Sequence, residues 1–249
     1  MIAQVTQDIY ARWYDQACSG RPFFGCLLPV QRQLLGAASA GFFAGEHLAV
    51  DASGALVMAS GTADPEELAS FLAFLDKHQY LTDGTVPAGW HEGQTVRLYT
   101  LPPENCLPLP PRPADAVWNE NPSAFGVARL MFAESERQDD FYSELCTKRN
   151  HGMAQVYTLE ADGKILSTAG AYALYDGQAY LACVKTRPDC RGRGLAGWLV
   201  IDTANRLARQ GWQVVLLARP DRFSFYEKLG FVCQQELTIY TDRNETILD

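Results

Sequence analysis

The chain of 249 residues has no Cys-x-x-Cys pair, no His-x-x-x-His spacing, no surplus of basic charge and no apolar run long enough to cross a membrane. Each absence removes a class of function. The seven cysteines, at 18, 26, 106, 146, 183, 190 and 233, are scattered and odd in number, so neither a disulfide framework nor a zinc ribbon is expected and the thiols read as reduced. The four histidines never pair, and His91-Glu92 lacks the second histidine of a zincin, so no metal is expected. With 21 Lys and Arg against 29 Asp and Glu, the formal net charge is −8, which excludes a general nucleic-acid binder because phosphate neutralisation needs the opposite balance. The opening Met-Ile-Ala-Gln-Val-Thr-Gln-Asp has neither a basic nor an apolar leader region, and no stretch approaches the ~18 apolar residues of a membrane span. The expected compartment is the cytoplasm, with no membrane partner.

What is present is an ordinary globular composition, 47% hydrophobic and 20% charged, in a chain long enough for two modest domains. The sharpest break is Leu101 to Pro113, which holds six of the thirteen prolines and can propagate neither a helix nor a central strand. The expected division is an N-terminal α/β domain over 1–101, a proline-rich linker over 102–117 and a second domain over 118–249. In the first half the pattern predicts helices over Gln7–Cys18 and Val30–Phe43, and a hairpin of Glu46–Val50 and Ala55–Ser60. A further helix is predicted from Pro65 and a strand over Thr95–Leu101. In the second it predicts helices over Ser123–Phe132 and Asp139–Lys148, then a three-strand meander of 154–159, 165–173 and 179–186 turning at Asp162-Gly163 and Asp176-Gly177. A helix from Leu195 closed by Gly211, a strand over Val214–Ala218, a short helix over Asp221–Leu229 and closing strands from Phe231 and from Leu237 complete it. The order is ααβββαβαβ, an α/β (α+β) fold with a mixed, mostly antiparallel sheet.

The segment from Ala179 to Trp198 carries the chemistry. It reads as a strand entering a glycine-rich turn that opens a helix, a geometry suited to phosphate. Gly192, Gly194 and Ala196 let the backbone approach a ligand closely, and the unpaired N–H groups of a first helical turn favour an anion. Arg191 and Arg193 add donors for a pyrophosphate. About thirty residues on, Phe225-Tyr-Glu-Lys-Leu-Gly-Phe231 is a helix end closed by glycine and carrying Tyr226.

The run Arg191-Gly-Arg-Gly-Leu-Ala196 resembles the Arg/Gln-x-x-Gly-x-Gly/Ala motif of the GNAT superfamily of acyl-CoA-dependent N-acetyltransferases, with Arg191, Gly194 and Ala196 in its three places. Phe225–Phe231 resembles that superfamily's other signature. The resemblance spans about 118–249; the first half faintly resembles a degenerate copy of the same fold. It implies acetyl-CoA as co-substrate and transfer to a primary amine, small molecule or peptide, by direct attack in a ternary complex. Val184, Lys185 and Thr186 would hold the acyl carbonyl and pantetheine arm through backbone groups. Gly192, Gly194, Leu195, Ala196 and Gly197 would offer N–H groups to the pyrophosphate, with Arg191 and Arg193 framing it. Tyr226 would protonate the departing thiolate.

Two departures bear on the mechanism. Arg219 stands where many members carry an asparagine, and no acid lies on the 179–186 strand, where Cys183 reads as a small buried hydrophobe. Acceptor deprotonation is then left to water or to Glu134, Glu136, Asp139 or Asp140 between the first two helices. Glu160, at a hairpin tip, is worse placed. Two alternatives follow from the same residues: a catalytically inactive CoA-binding or ligand-sensing module, and, from the literal Gly192-x-Gly-x-x-Gly197, a dinucleotide-binding oxidoreductase. The oligomeric expectation is a monomer or homodimer.

Overall fold

The structure, a computed structural model, describes residues 1–35, 40–102, 106–133 and 135–243. The chain forms two compact units that do not follow chain order. One consists of residues 1–98, 217–223 and 233–249, and the other of 99–216 and 224–232.

The first unit contains β1 (Ala3–Gln4), α1 (Asp8–Cys18), α2 (Phe24–Leu35), β2 (Phe42–Gly45), β3 (Leu48–Asp51), β4 (Leu56–Gly61), α3 (Pro65–Phe74), β5 (Gln79–Thr82) and most of β6 (His91–Thr100). The second contains β7 (Val117–Asn119), α4 (Ala124–Phe132), α5 (Arg137–Asn150), β8 (Gln155–Ala161), β9 (Lys164–Tyr175), β10 (Gln178–Thr186), α6 (Leu195–Arg209), most of β11 (Gln213–Ala218) and most of α7 (Phe223–Leu229). Each unit thus repeats one plan: an edge strand, two helices, an antiparallel meander, and a helix crossing over to a parallel strand. The pairing β4–β5 is parallel, and so is β10–β11.

The last strand, β12 (Val232–Thr241), lies almost wholly in the first unit, where Ile239, Tyr240 and Thr241 pair with Leu81, Tyr80 and Gln79 of β5. Strand order there is β1-β2-β3-β4-β5-β12-β6, and in the second unit β11-β10-β9-β8-β7. Each sheet is mixed and flanked by helices. A doubly wound sheet is not formed, because β8, β9 and β10 run antiparallel.

Two expectations are corrected. The helix read over Val30–Phe43 is α2, Phe24–Leu35, and Phe42–Gly45 is a strand. Seven successive residues, Phe24 to Val30, are buried, so no stripe marks a helical face, and Pro29 sits inside the helix where it reads as a break. The two closing strands are one, β12, whose first half is exposed and therefore lacks alternation. Strands β1, β5 and β7, of two to four residues, carry too little pattern to be seen. Elsewhere the helices at Asp8, Pro65, Ala124 and Leu195 and the meander fall within a few residues of expectation, and Gly211, with φ 89°, terminates α6 in the left-handed region.

The described part of the proline-rich segment has no helix or strand, but it is anchored to α6. Buried Asn205 accepts from the Leu107 N–H at 2.8 Å and donates to the Leu107 carbonyl at 2.9 Å, while the Trp198 indole donates to the Pro110 carbonyl at 3.0 Å. Asn205 thereby pairs both polar groups of one buried peptide residue. Asn205→Ala leaves the Leu107 N–H and carbonyl unsatisfied, at about 1–3 kcal/mol. A denaturant midpoint lowered accordingly, at unchanged slope, is the expected result.

Candidate functional site

The site lies in the second unit, where β10 leaves β11. Parallel pairing covers Gln178–Tyr180 against Gln213–Val215, whereas β10 runs on along β9 to Thr186 against Ser167. The two parallel strands therefore part beyond Tyr180. Within the freed stretch, Ala182 pairs with Gly170 and Lys185 with Thr168, so Cys183 and Val184 oppose the single residue Ala169. This is a β-bulge, and Cys183 adopts φ 56° in it. A bulge takes backbone groups out of the ladder, and Val184 stands at that point. The neighbouring side chains are tied down. Lys185 Nζ donates to the Met131 carbonyl at the end of α4 (2.6 Å), and the Thr186 and Ser167 hydroxyls are 2.8 Å apart. Lys185 and Thr186 can thus offer a ligand their main chain rather than their side chains.

The turn that follows is fixed locally. The Arg187 guanidinium holds the Asp189 carboxylate, Pro188–Cys190 makes one 3-10 turn, and Gly192 and Gly194 both take left-handed backbone at φ 77° and 75°. A Cβ on either glycine would meet nothing within 4 Å, so the need for glycine here is conformational and the space in front of the turn is open. Gly194 caps α6 with no side-chain hydrogen bond, and the first turn holds no acid. The first intrahelical bond runs from Trp198 N to the Gly194 carbonyl at 3.0 Å. The N–H groups of Leu195, Ala196 and Gly197 have no partner inside the helix, which is the electropositive arrangement that binds anions. Arg193 pairs with Asp115, whereas exposed Arg191 has no ion pair among the described residues.

Tyr226 is placed by the same helix. A Cβ on Gly197 would come 3.3 Å from Leu229, so the small residue lets α7 lie close against α6. On α7, Tyr226 is 9% exposed, with ring centroids 6.1 Å from Tyr99, 5.0 Å from Phe225 and 5.9 Å from Phe231. Tyr99 donates its hydroxyl to Glu227 at 2.9 Å, which sets the adjoining wall.

Of the acids expected near the acceptor, Glu134 lies outside the described residues, and Glu136, Asp139 and Asp140 are exposed at the start of α5. Glu160 accepts from Asn119 and Thr158 and is occupied structurally. The acid that faces the sheet is Glu144, one turn further along α5 on the face of Phe141, Leu145 and Lys148. Lys148, fully buried, pairs with Glu144 at 2.7 Å and lies 3.5 Å from the centroid of the Tyr172 ring. Phe141 stacks on Tyr172 with ring centroids 5.5 Å apart.

Tyr172 is itself the extra residue of a second bulge, since Tyr180 pairs with Ala173 and Leu181 with Ala171. Burial, then the nearby Glu144 carboxylate, raises its pKa and keeps it a hydroxyl donor to that carboxylate. Burial also pushes the Cys183 thiol up to about 12, against the pull of Lys148, so the thiol stays neutral and is a poor nucleophile. Sequence reading missed Glu144; the available signal was a Glu–Lys pair four residues apart on the apolar face of a helix.

The first unit repeats the crossover but not these features. β4 and β5 pair from Leu56–Gln79 to Ala59–Thr82, and Thr85 N–H then reaches the Gly61 carbonyl at 3.1 Å. A Cβ on Gly84 would lie 1.6 Å from the Gly61 oxygen, so the chains close tightly where β10 and β11 open. At α3 the Asp64 carboxylate accepts from the N–H groups of Glu66 and Glu67, residue 65 is proline and the first turn is acidic. That helix end is already filled and repels an anion. Among the described residues no group of three His, Cys, Asp or Glu is set to hold a metal, and no helix is long and apolar enough to cross a membrane.

A split pair of parallel strands, a bulge and an open helix N-terminus place the chain in the GNAT fold class. Residues 152–233 match the model of an acetyltransferase (GNAT) domain. A tandem GNAT protein from the clavulanic acid biosynthesis pathway is similar over 97% of both chains at 11% identity, with a TM-score of 0.66. A GCN5-related N-acetyltransferase from Kribbella flavida is similar over 89% of this chain and 96% of its own, at 16% identity and a TM-score of 0.63. A GCN5-related N-acetyltransferase-like protein from Streptococcus suis gives 92% and 96%, at 14% identity and 0.56. No curated protein matches the sequence.

Proposed function

We propose that the protein transfers an acetyl group from acetyl-CoA to a primary amine by direct attack in a ternary complex. The observation that carries this reading is the conjunction, in one unit, of the β10–β11 opening with the uncapped, acid-free N-terminus of α6. The donor set fits the co-substrate. The N–H groups of Leu195, Ala196 and Gly197 would take the pyrophosphate with Arg191 beside them, and the backbone at Val184 to Thr186 would take the pantetheine arm and acyl carbonyl. The bound thioester supplies an activated acyl carbon. Around it the chain's contribution is to orient, to place backbone N–H groups where negative charge grows, and to deliver the Tyr226 proton toward the sulfur. The first unit would support the fold without a cofactor of its own. Seven cysteines with no disulfide between them suit a reducing compartment, and the cytoplasm is the location we propose.

Purified full-length protein, given acetyl-CoA and a panel of amines, is expected to release free CoA thiol in the presence of at least one amine. Affinity for NADPH without affinity for CoA would overturn the reading. Tight CoA binding without turnover of any amine would leave a CoA-binding module instead. Calorimetry is also expected to give one acetyl-CoA per chain, since the end of α3 is capped by Asp64 and flanked by Glu66 and Glu67. Two equivalent sites would contradict the contrast drawn between the two crossovers.

A further inference from the structure

We infer that Glu144 receives the acceptor's ammonium group and takes its proton, held in place for that task by Lys148 and Tyr172; this rests on the acetyl-transfer reading above. Three observations carry it. First, Glu144 is 21% exposed at the side chain while its partner Lys148 is 0% exposed, so the pair is anchored on its buried side and open on the other. Second, a buried ion pair is a poor source of stability, because desolvation offsets the Coulomb gain and an apolar pair of the same volume would serve the core as well. Third, the residues around Glu144 are the two bulged residues of the meander. Tyr172 donates to it from β9, and the Cys183 bulge on β10, where the strand leaves β11, lies within its electrostatic reach. A bulge re-aims a side chain and interrupts a ladder, and two of them converge on one carboxylate.

The titratable groups facing Glu144 are Lys148 on its own helix, Tyr172 on β9 and Cys183 on β10. Burial keeps the Cys183 thiol and the Tyr172 phenol protonated. Glu144 is the carboxylate among them, ion-paired with Lys148 at 2.7 Å. The substrate class this selects is an alkylamine that arrives as a cation. In the reaction the ammonium loses one proton to the Glu144 carboxylate, which passes it to solvent. The nitrogen lone pair forms the C–N bond as the C–S bond breaks. The second N–H proton leaves with product formation and balances the one that Tyr226 gives to the thiolate. Lys148 and Tyr172 touch no reacting atom and are positioning residues.

The test compares two probe amines with wild-type and Glu144→Gln protein. Propylamine is a cation at neutral pH and needs a base, whereas hydroxylamine is already neutral there. For Glu144→Gln, the rate with propylamine should fall about tenfold or more at pH 7 and recover as pH rises, and the rate with hydroxylamine should be nearly unchanged. Acetyl-CoA affinity should not move. The double variant Glu144→Gln/Lys148→Met, which replaces the pair by neutral groups and leaves no unpaired buried charge, should show the same selectivity if the single variant is unstable. Equal slowing with both amines would make Glu144 structural and overturn the inference, as would no slowing with either. If wild-type protein acetylates neither of these but another amine of the panel, the inference falls and the acetyl-transfer reading stands; if it acetylates no amine at all, that reading falls and takes the inference with it.

Discussion

Tyr226→Phe is expected to slow the chemical step about 10²-fold while leaving acetyl-CoA affinity and stability nearly unchanged. The substitution removes one hydroxyl and keeps the ring, and the ring is what packs against Tyr99, Phe225 and Phe231. A positioned acid contributes about 10²–10⁴-fold when a poor leaving group must be protonated. The nearest other phenol, Tyr99, is engaged with Glu227 and is not a ready substitute. Single-turnover kinetics with thermal melts on both proteins separate the roles. A tyrosine serving only the core predicts a loss of stability with turnover intact, and that pairing would remove Tyr226 from the mechanism.

Gly194→Val should weaken acetyl-CoA binding by about 30-fold, the equivalent of roughly 2 kcal/mol. Residue 194 sits at φ 75°, where a β-branched side chain is strained, and its Cβ would project into open space rather than into protein. The strain works on the loop, and the added methyls obstruct a ligand's approach to the N–H groups of α6. Gly197→Ala is the contrast. Gly197 is not among the positive-φ glycines, and its Cβ meets only the tip of Leu229 at 3.3 Å, so it should perturb the α6–α7 contact and spare cofactor affinity more. Titration calorimetry on both variants, with unfolding curves to subtract any loss of folded protein, gives the comparison. Unaltered affinity in a folded Gly194→Val protein would place the pyrophosphate elsewhere.

The cofactor side of the candidate site was legible in the sequence because its chemistry is local. Gly192, Gly194 and the apolar stripe after Leu195 lie within one turn and one helix, and positive φ and helical period leave marks in composition. The proposed acceptor side was not, because it is assembled across strands. Glu144 lies by the bulges at Tyr172 and Cys183, and a bulge is a register event between two strands that one strand's pattern does not encode. For the same reason the short strands β5 and β7 went unseen, and α2 was displaced because its first seven residues are buried on every side and show no face. Closely spaced turns fixed the meander order, whereas no local signal could tell β12 that its partner is β5, more than a hundred residues earlier.

That pairing sets a timetable for synthesis on the ribosome. At about 5–20 residues per second, on the order of ten seconds separate the emergence of β5 from that of β12. During that interval β5 presents one edge with unpaired backbone groups, and the nascent first unit lacks a strand of its sheet. Chaperone dependence and aggregation of this protein should therefore be governed by how quickly its final strand is delivered. A tag or truncation placed after residue 231 should damage the first unit, which holds residues 1–98, before it touches the second.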